Sequence, residues 1–349
     1  MAVVSSWNEW DPLEEVIVGT ARGAADLGYE PALSGYFPEG SDGRGFGGAA
    51  VVQAAVDAAE RQLDGFARLL EQRGITVRRP DPVDHAVAAS TPDWAVAVGR
   101  AAACPRDLLL VVGEQVIEAP MAQRGRYFEF RAYRSLMKHY FGLGAHWVAA
   151  PKPLMSEALY PQGEARLSEA ELAFDAASFA RFGRDIFWQP DMVSNRFGAD
   201  WLQRQIGPDF RIHEIAFDEA TPMHIDTSLV PVRPGLVLVN PARPCRGGGM
   251  APFHANGWRV VPAPPSVRST PPRPGAVSNW ISMNILMLDP RTAVVEAAER
   301  PTIDLLESLG CKVVPCPFDS VYAFGGGLHC CTADIRRAGT LQSCFPTLD

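Results

Sequence analysis

The chain has 349 residues, 47% of them hydrophobic and 21% charged, which is the balance of a globular protein long enough to bury a large core. Its net charge is -8, and no Lys/Arg run is dense enough for a nucleic-acid face, so nucleic acid is not an expected partner. No stretch approaches the roughly 20 apolar residues of a membrane span. The opening MAVVSSWNEWDPLEE lacks the basic and apolar regions of a signal peptide. Seven cysteines (104, 245, 311, 316, 330, 331 and 344), an odd number, then fit a reduced, cytoplasmic protein with free thiols.

In chain order, a strand is expected at 15–19. A Gly-rich stretch at about 20–48 follows, with no periodic pattern. Its Gly43-Arg-Gly-Phe-Gly-Gly48 formally matches GxGxxG, but no strand leads into it, so it reads as a surface loop or a flap over a site. Val52, Val56, Ala59, Leu63, Phe66 and Leu70 recur at helical spacing, and Gly74 stops that helix before a strand at 75–80. A hairpin at 108–112 and 115–118 turns on Gly113, followed by a helix at 129–142 and a strand at 146–151. A helix at 194–206, with Ser194 as its N-cap, precedes a strand at 211–216. A second hairpin, 228–232 with 236–239, turns on Pro234-Gly235 and leads through the weakly helical MAPFHANG to a strand at 258–262. A third, 285–288 with 292–295, leads to a helix at 301–310 that starts with Pro and ends with Gly, then to a strand at 311–315.

The repeating unit is strand, strand, helix, strand. Five such units suggest a ring of modules, with the strand at 15–19 completing the last one together with residues 320–335. The hairpins argue against a doubly wound sheet, which needs one-to-one βα alternation. The whole chain, 1–349, is expected to form one α/β domain.

The strongest local chemical signal is Gly325-Gly-Gly-Leu-His-Cys330, because glycines let the backbone approach a ligand and put the cysteine within its reach. Cys331 is a rival nucleophile; in an extended segment only one of the two faces a pocket. In Pro222-Met-His-Ile-Asp226, a strand would put His224 and Asp226 on one face. Asp175 lies between apolar residues and Asp107 at the start of a strand; both are candidates for buried carboxylates. There is no HExxH, no CxxC pair and no His cluster, so no metal is expected. All these candidates fall near strand ends in different modules, and in a closed ring those ends converge on the axis.

Six segments together resemble the arginine amidinotransferases, the glycine-type branch of the pentein (guanidino-group-modifying) superfamily. They are Asn8-Glu-Trp-Asp-Pro-Leu-Glu-Glu-Val-Ile-Val-Gly19, Arg131-Ala-Tyr-Arg134, Phe174-Asp-Ala-Ala177, Pro222-Met-His-Ile-Asp226, Asn240-Pro-Ala-Arg-Pro-Cys245 and the run ending at Cys330. The resemblance implies a five-bladed, pseudo-symmetric α/β propeller of ββαβ modules. It implies Asp175, His224 and Cys330 as catalytic residues and Asp107, Asp226, Arg243 and Ser278 as substrate-binding residues. It also implies that the chain needs no metal or organic cofactor and forms a homodimer.

The implied reaction moves the amidino group of L-arginine through an S-amidino-cysteine to an acceptor amine, glycine or a related one, releasing L-ornithine. Two half-reactions on one site imply ping-pong kinetics. An arginine hydrolase of the deiminase kind, in which water resolves the same intermediate, is the alternative. Three positions depart from the glycine-type pattern: Thr221 stands for an asparagine, Val277 for a serine and Cys331 for a tryptophan.

Overall fold

A computed structural model describes residues 2–25, 30–36, 52–268 and 278–348. The Gly43–Gly48 motif and Val277 lie outside the described residues, as does part of the Gly-rich stretch.

Five three-stranded sheets carry the architecture, and each has the same wiring. A hairpin pairs two antiparallel strands, a helix crosses over, and a third strand adds parallel to the second. The strand triplets are Leu109–Val112, Gln115–Glu118 and His146–Ala149; Phe179–Phe182, Asp185–Trp188 and Arg211–Glu214; Leu229–Arg233, Leu236–Val239 and Arg259–Pro262; and Leu286–Asp289, Thr292–Glu296 and Lys312–Cys316. The fifth module draws on both ends of the chain: Thr332–Arg337 pairs antiparallel with Leu13–Val18, which pairs parallel with Thr76–Arg78. Contacts between successive modules run round the full circle, so the ring closes as the repeat count suggests. A two-stranded ribbon, Ala89–Ser90 with Ala95–Val96, lies outside the repeat. Among the described residues no sheet exceeds three strands, which disposes of the doubly wound alternative.

The crossover helices form where the apolar spacing predicts. Helix Gln53–Glu71 buries Val56, Ala59, Leu63, Phe66 and Leu70. Burying a Leu or Phe of this kind stabilises the fold by about 1.5–3 kcal/mol. Val52, counted in the same stripe, is instead 66% exposed, because it precedes the first helical turn. Gly74 ends the segment at φ +80°, a conformation that suits glycine. Helix Arg196–Ile206 is capped by Asn195 rather than Ser194: Asn195 Oδ1 accepts the Gly198 N–H at 3.0 Å, while Ser194 Oγ accepts the Trp188 indole N–H. The weak MAPFHANG segment does form a short helix, Ala251–Ala255.

The hairpin at Phe179–Phe182 and Asp185–Trp188 is not visible in the apolar pattern, because it buries Arg181 and Asp185 completely. Arg181 is the hub of an ionic cluster on the ring axis. Its guanidinium pairs with Glu9 (2.8 Å) and Asp334 (2.8 Å) and donates to the Val111 carbonyl at 2.8 Å. Arg106 bridges the same two carboxylates, and Arg337 joins Asp334 at 2.9 Å to the Met287 carbonyl at 2.9 Å. Residues from the first strands of four modules thus meet in one network. Burial opposes the charge of Glu9 and Asp334, but these arginines outweigh it and hold both carboxyls below the usual range.

Candidate active site

In each module the segment just before the first strand carries one or more polar side chains to the ring centre. Asp107 sits in the short helix Pro105–Leu108, and Asp175 stands just before the 3-10 turn Ala176–Ser178. His224 and Asp226 belong to the turn Ile225–Thr227 and its lead-in. Asn284 follows the turn Ile281–Met283, and Cys330 stands two residues before Thr332. All six residues are buried.

His224 and Asp226 do not lie on a strand. His224 has φ +58°, rare for a residue with a Cβ, and Asp226 is in a 3-10 turn. Such a conformation costs about 1–3 kcal/mol and persists only when its surroundings hold it. Here the His224 N–H donates to Asp191 Oδ2 at 2.8 Å, and Asp191 is itself fixed by Ser178 Oγ and the Val193 N–H. The twist separates the partners expected side by side. His224 Nε2 meets Asp175 Oδ2 at 3.1 Å, whereas Asp226 turns to Cys330.

Around the sulfur, the Cys330 thiol donates to Asp226 Oδ2 at 3.3 Å and accepts from Asn284 Nδ2 at 3.1 Å. Asn284 Nδ2 also bonds Asp226 at 2.7 Å, and its Oδ1 accepts the N–H groups of His329 and Cys330, each at 3.0 Å. His329 adds Nδ1 against Asp226 at 2.9 Å. Close packing explains the glycine run. A Cβ on Gly326 would lie 2.6 Å from Cys330 Cβ, and one on Gly327 would lie 2.7 Å from Asn284 Oδ1. Cys331 packs away from the site, fully buried and within hydrogen-bonding reach of Cys104.

Arg126, absent from the sequence reading, binds Asp107 at 2.7 Å and Glu129 at 2.9 Å, and lies 3.7 Å from Asp175. Ligand atoms of Asp107, Asp175 and His224 lie within 4.8 Å of one another, close enough to grip a cation. Arg126 already answers the charge of both carboxylates from one side, so a metal is not needed to make the cluster stable. One oxygen of Asp107 and one of Asp175 remain buried with no hydrogen-bond partner among the described residues. Buried acceptors of this kind suit a ligand that carries several N–H groups.

Titration follows from the same geometry. Burial pulls the His224 imidazole down, but Asp107, Asp175 and Asp191 outweigh it and push it up to about 9, so it is protonated at neutral pH. Burial, then Asp226 and Asp107, hold the Cys330 thiol well above the ordinary thiol range. Burial also raises Asp226, but His329, His224 and Cys330 reverse this and leave it ionised below the usual range.

Arg243 and Ser278 meet beside the turn Ile225–Thr227. Arg243 Nη1 donates to Thr227 Oγ1 at 2.8 Å and Nη2 to Ser278 Oγ at 2.8 Å, with Glu219 Oε1 at 2.6 Å from Nη2. Thr227 directly follows Asp226, so this group is built onto the turn that faces the thiol.

No family model matches the sequence. Glycine amidinotransferase, mitochondrial, of Gallus gallus is 43% identical over 98% of this chain and 85% of its own length. The L-arginine:L-lysine amidinotransferase of Pseudomonas savastanoi pv. phaseolicola is 42% identical over 97% of this chain and 96% of its own. The chain belongs to the amidinotransferase family. Among solved structures, this amidinotransferase superposes on SxtG, an amidinotransferase of Microseira wollei in the saxitoxin biosynthetic pathway. The TM-score is 0.89 and the identity 43%, over 98% of this chain and 99% of that one. It superposes on inosamine-phosphate amidinotransferase StrB1 of Streptomyces griseus with a TM-score of 0.88 at 38% identity, over 99% and 100% of the two chains. The N-terminal domain of ArgZ, a cyanobacterial arginine dihydrolase, matches at TM-score 0.63 and 13% identity, over 94% of this chain and 98% of that one, a likeness of fold alone. The amidinotransferase is thus a five-module pentein.

Among the described residues no helix of this amidinotransferase is long and apolar enough to cross a membrane. Of its central polar groups, Asn284, Arg126 and Asp191 escaped the sequence reading. The repeat contained a clue to the first: four modules send a titratable residue from the segment before their first strand, and Asn284 is the counterpart in the module that begins at Leu286.

Proposed function

We propose that this amidinotransferase takes the amidino group from L-arginine onto Cys330 Sγ and passes it to an acceptor amine. The observation that carries the reading is the pairing of a thiol with a carboxylate at 3.3 Å, beside further buried carboxylate oxygens that have no hydrogen-bond partner among the described residues. A planar guanidinium is a cation rich in N–H donors and meets that demand.

Asp107 and Asp226 hold the guanidinium, and its positive charge offsets the carboxylates that keep Cys330 protonated. The thiol then ionises, releasing its proton to water, and Sγ attacks the central guanidinium carbon while the C=N pair moves onto nitrogen. His224, charged at neutral pH, gives its proton to the departing side-chain nitrogen as the C–N bond breaks, leaving ornithine and S-amidino-Cys330. Asp175 orients the imidazole and stabilises its charged form. The acceptor amine then attacks the same carbon, loses a proton to His224, and expels the thiolate. Arg243, held by Ser278, pairs with the α-carboxylate of arginine.

This scheme predicts substrate-linked ionisation. Without ligand, the thiolate absorbance of wild type minus Cys330→Ala stays near zero at pH 8. A non-reactive arginine analogue makes it appear at that pH. An unchanged titration would show that the guanidinium does not activate the sulfur.

The function itself is tested with arginine as donor and a panel of amines as acceptors, following ornithine release. Transfer predicts ornithine in quantity only with an acceptor present, and S-amidino-Cys330 in its absence. Citrulline from arginine alone would mean that water resolves the intermediate, and the reading would fail.

A further inference from the structure

We infer that Glu219 and Arg243 form a clamp for the α-ammonium and α-carboxylate of an amino acid. The clamp selects an acceptor built like ornithine, an α-amino acid whose reactive amine lies at the end of its side chain. The inference rests on the amidino-transfer reading above.

Glu219 precedes His224 by five residues, and its side chain is 14% exposed. One carboxylate oxygen contacts Arg243 at 2.6 Å; the other is buried and has no hydrogen-bond partner among the described residues. Glu219 also lines a cleft of about 860 Å³, together with Asp191, Pro222 and Gln189. Gln189 is 1% exposed, and both ends of its amide lack partners among the described residues. Thr227, which accepts from Arg243, directly follows the residue that contacts the Cys330 thiol, so the clamp and the thiol share one turn.

These facts bear on what enters. A cation beside a carboxylate with one unpartnered oxygen matches the two charged groups on an α-carbon, and the amide of Gln189 adds a neutral donor and acceptor close by. An incoming α-carboxylate competes with Glu219 for Arg243, and the α-ammonium gives Glu219 a new partner. Burial lifts the Glu219 carboxyl to about 7, against the pull of Arg243 and with a push from Asp191, so a nearby ammonium restores its full charge. Arginine engages the clamp while its guanidinium lies at Cys330. Ornithine leaves from that same posture, and an acceptor with a terminal amine re-enters it. Glycine cannot, because its sole amine cannot serve Glu219 and attack the amidino carbon at once.

The test compares L-arginine with its analogue lacking the α-amine, and L-lysine and isotope-labelled L-ornithine with glycine, in wild type, Glu219→Gln and Glu219→Ala. In wild type, kcat/KM for L-arginine exceeds that for the des-amino analogue at least about tenfold, and the two diamino acids outpace glycine by a similar factor. In Glu219→Gln both preferences shrink to within about threefold, mainly through KM, as expected for an interaction made equally before and during reaction. Equal use of the two donors by wild type would overturn the proposal without recourse to any variant. So would glycine as the preferred acceptor, or preferences that survive in Glu219→Gln. The S-amidino adduct on Cys330 is followed by mass spectrometry in parallel. Adduct with these preferences absent sinks the clamp alone; no adduct in wild type sinks amidino transfer and the clamp with it.

Discussion

Replacing Cys330 by Ala is expected to lower amidino transfer by about 10⁴–10⁶-fold, whereas Cys331→Ala, one residue on, keeps most of the activity. The two thiols are chemically alike and both buried, so the difference lies in direction. Cys330 points at Asp226 and is held by the Asn284 amide at 3.1 Å. Cys331 faces Cys104 behind the glycine run. In the proposed mechanism the sulfur carries the amidino group between donor and acceptor, so both half-reactions are expected to stop together. Exchange of labelled ornithine into arginine, which needs no other acceptor amine, measures the first half-reaction and its reverse in isolation. Equal loss in Cys330→Ala and Cys331→Ala, with both variants folded by circular dichroism, would remove the basis for assigning the nucleophile.

The second large effect concerns stability. Arg181→Met is expected to destabilise the fold by about 3–5 kcal/mol, the cost of removing one partner from a buried ion pair and leaving the others facing each other. Glu9 and Asp334 both sit against Arg181, and neither has water to turn to. The effect has a pH signature. Both carboxyls are held below their ordinary values of 4.5 and 3.8, so their contribution is fully present above about pH 4.5 and fades as pH falls through their folded-state range. Arg181→Met weakens that depression. Urea midpoints measured from pH 7 down to pH 3 therefore fall less steeply for the variant, from a lower start. A variant as stable as wild type would mean that the axis cluster fixes alignment rather than stability.

Much of this architecture can be read from the chain because most of its modules obey local rules. Helix Gln53–Glu71 shows an apolar stripe, and the hairpins at Gly113 and Gly235 show turn residues between β-branched runs. The hairpin around Gly183 hides because Arg181 points into the charged centre and Asp185 pairs with Arg211 and His213 on the neighbouring strand, so polar residues occupy positions that a strand pattern expects to be apolar. Pairing between side chains is the harder part. Asp175 and His224 stand 49 residues apart and meet only through the ring. Spacing alone suggested the wrong neighbour for His224, because alternation assumes strand geometry and this residue has φ +58°. Asn284 carries no charge and titrates at no accessible pH, so nothing in its type advertised its hold on both Cys330 and Asp226.

The module that carries Cys330 is stitched together from opposite ends of the polypeptide, with Thr332–Arg337 lying against Leu13–Val18. A nascent chain on the ribosome can build the intermediate repeats one after another, but this last seam must wait until Thr332–Arg337 has emerged, more than 300 residues after Leu13–Val18. Contacts of such long sequence separation form late. The site proposed around Cys330 is therefore assembled only when the circle is sealed.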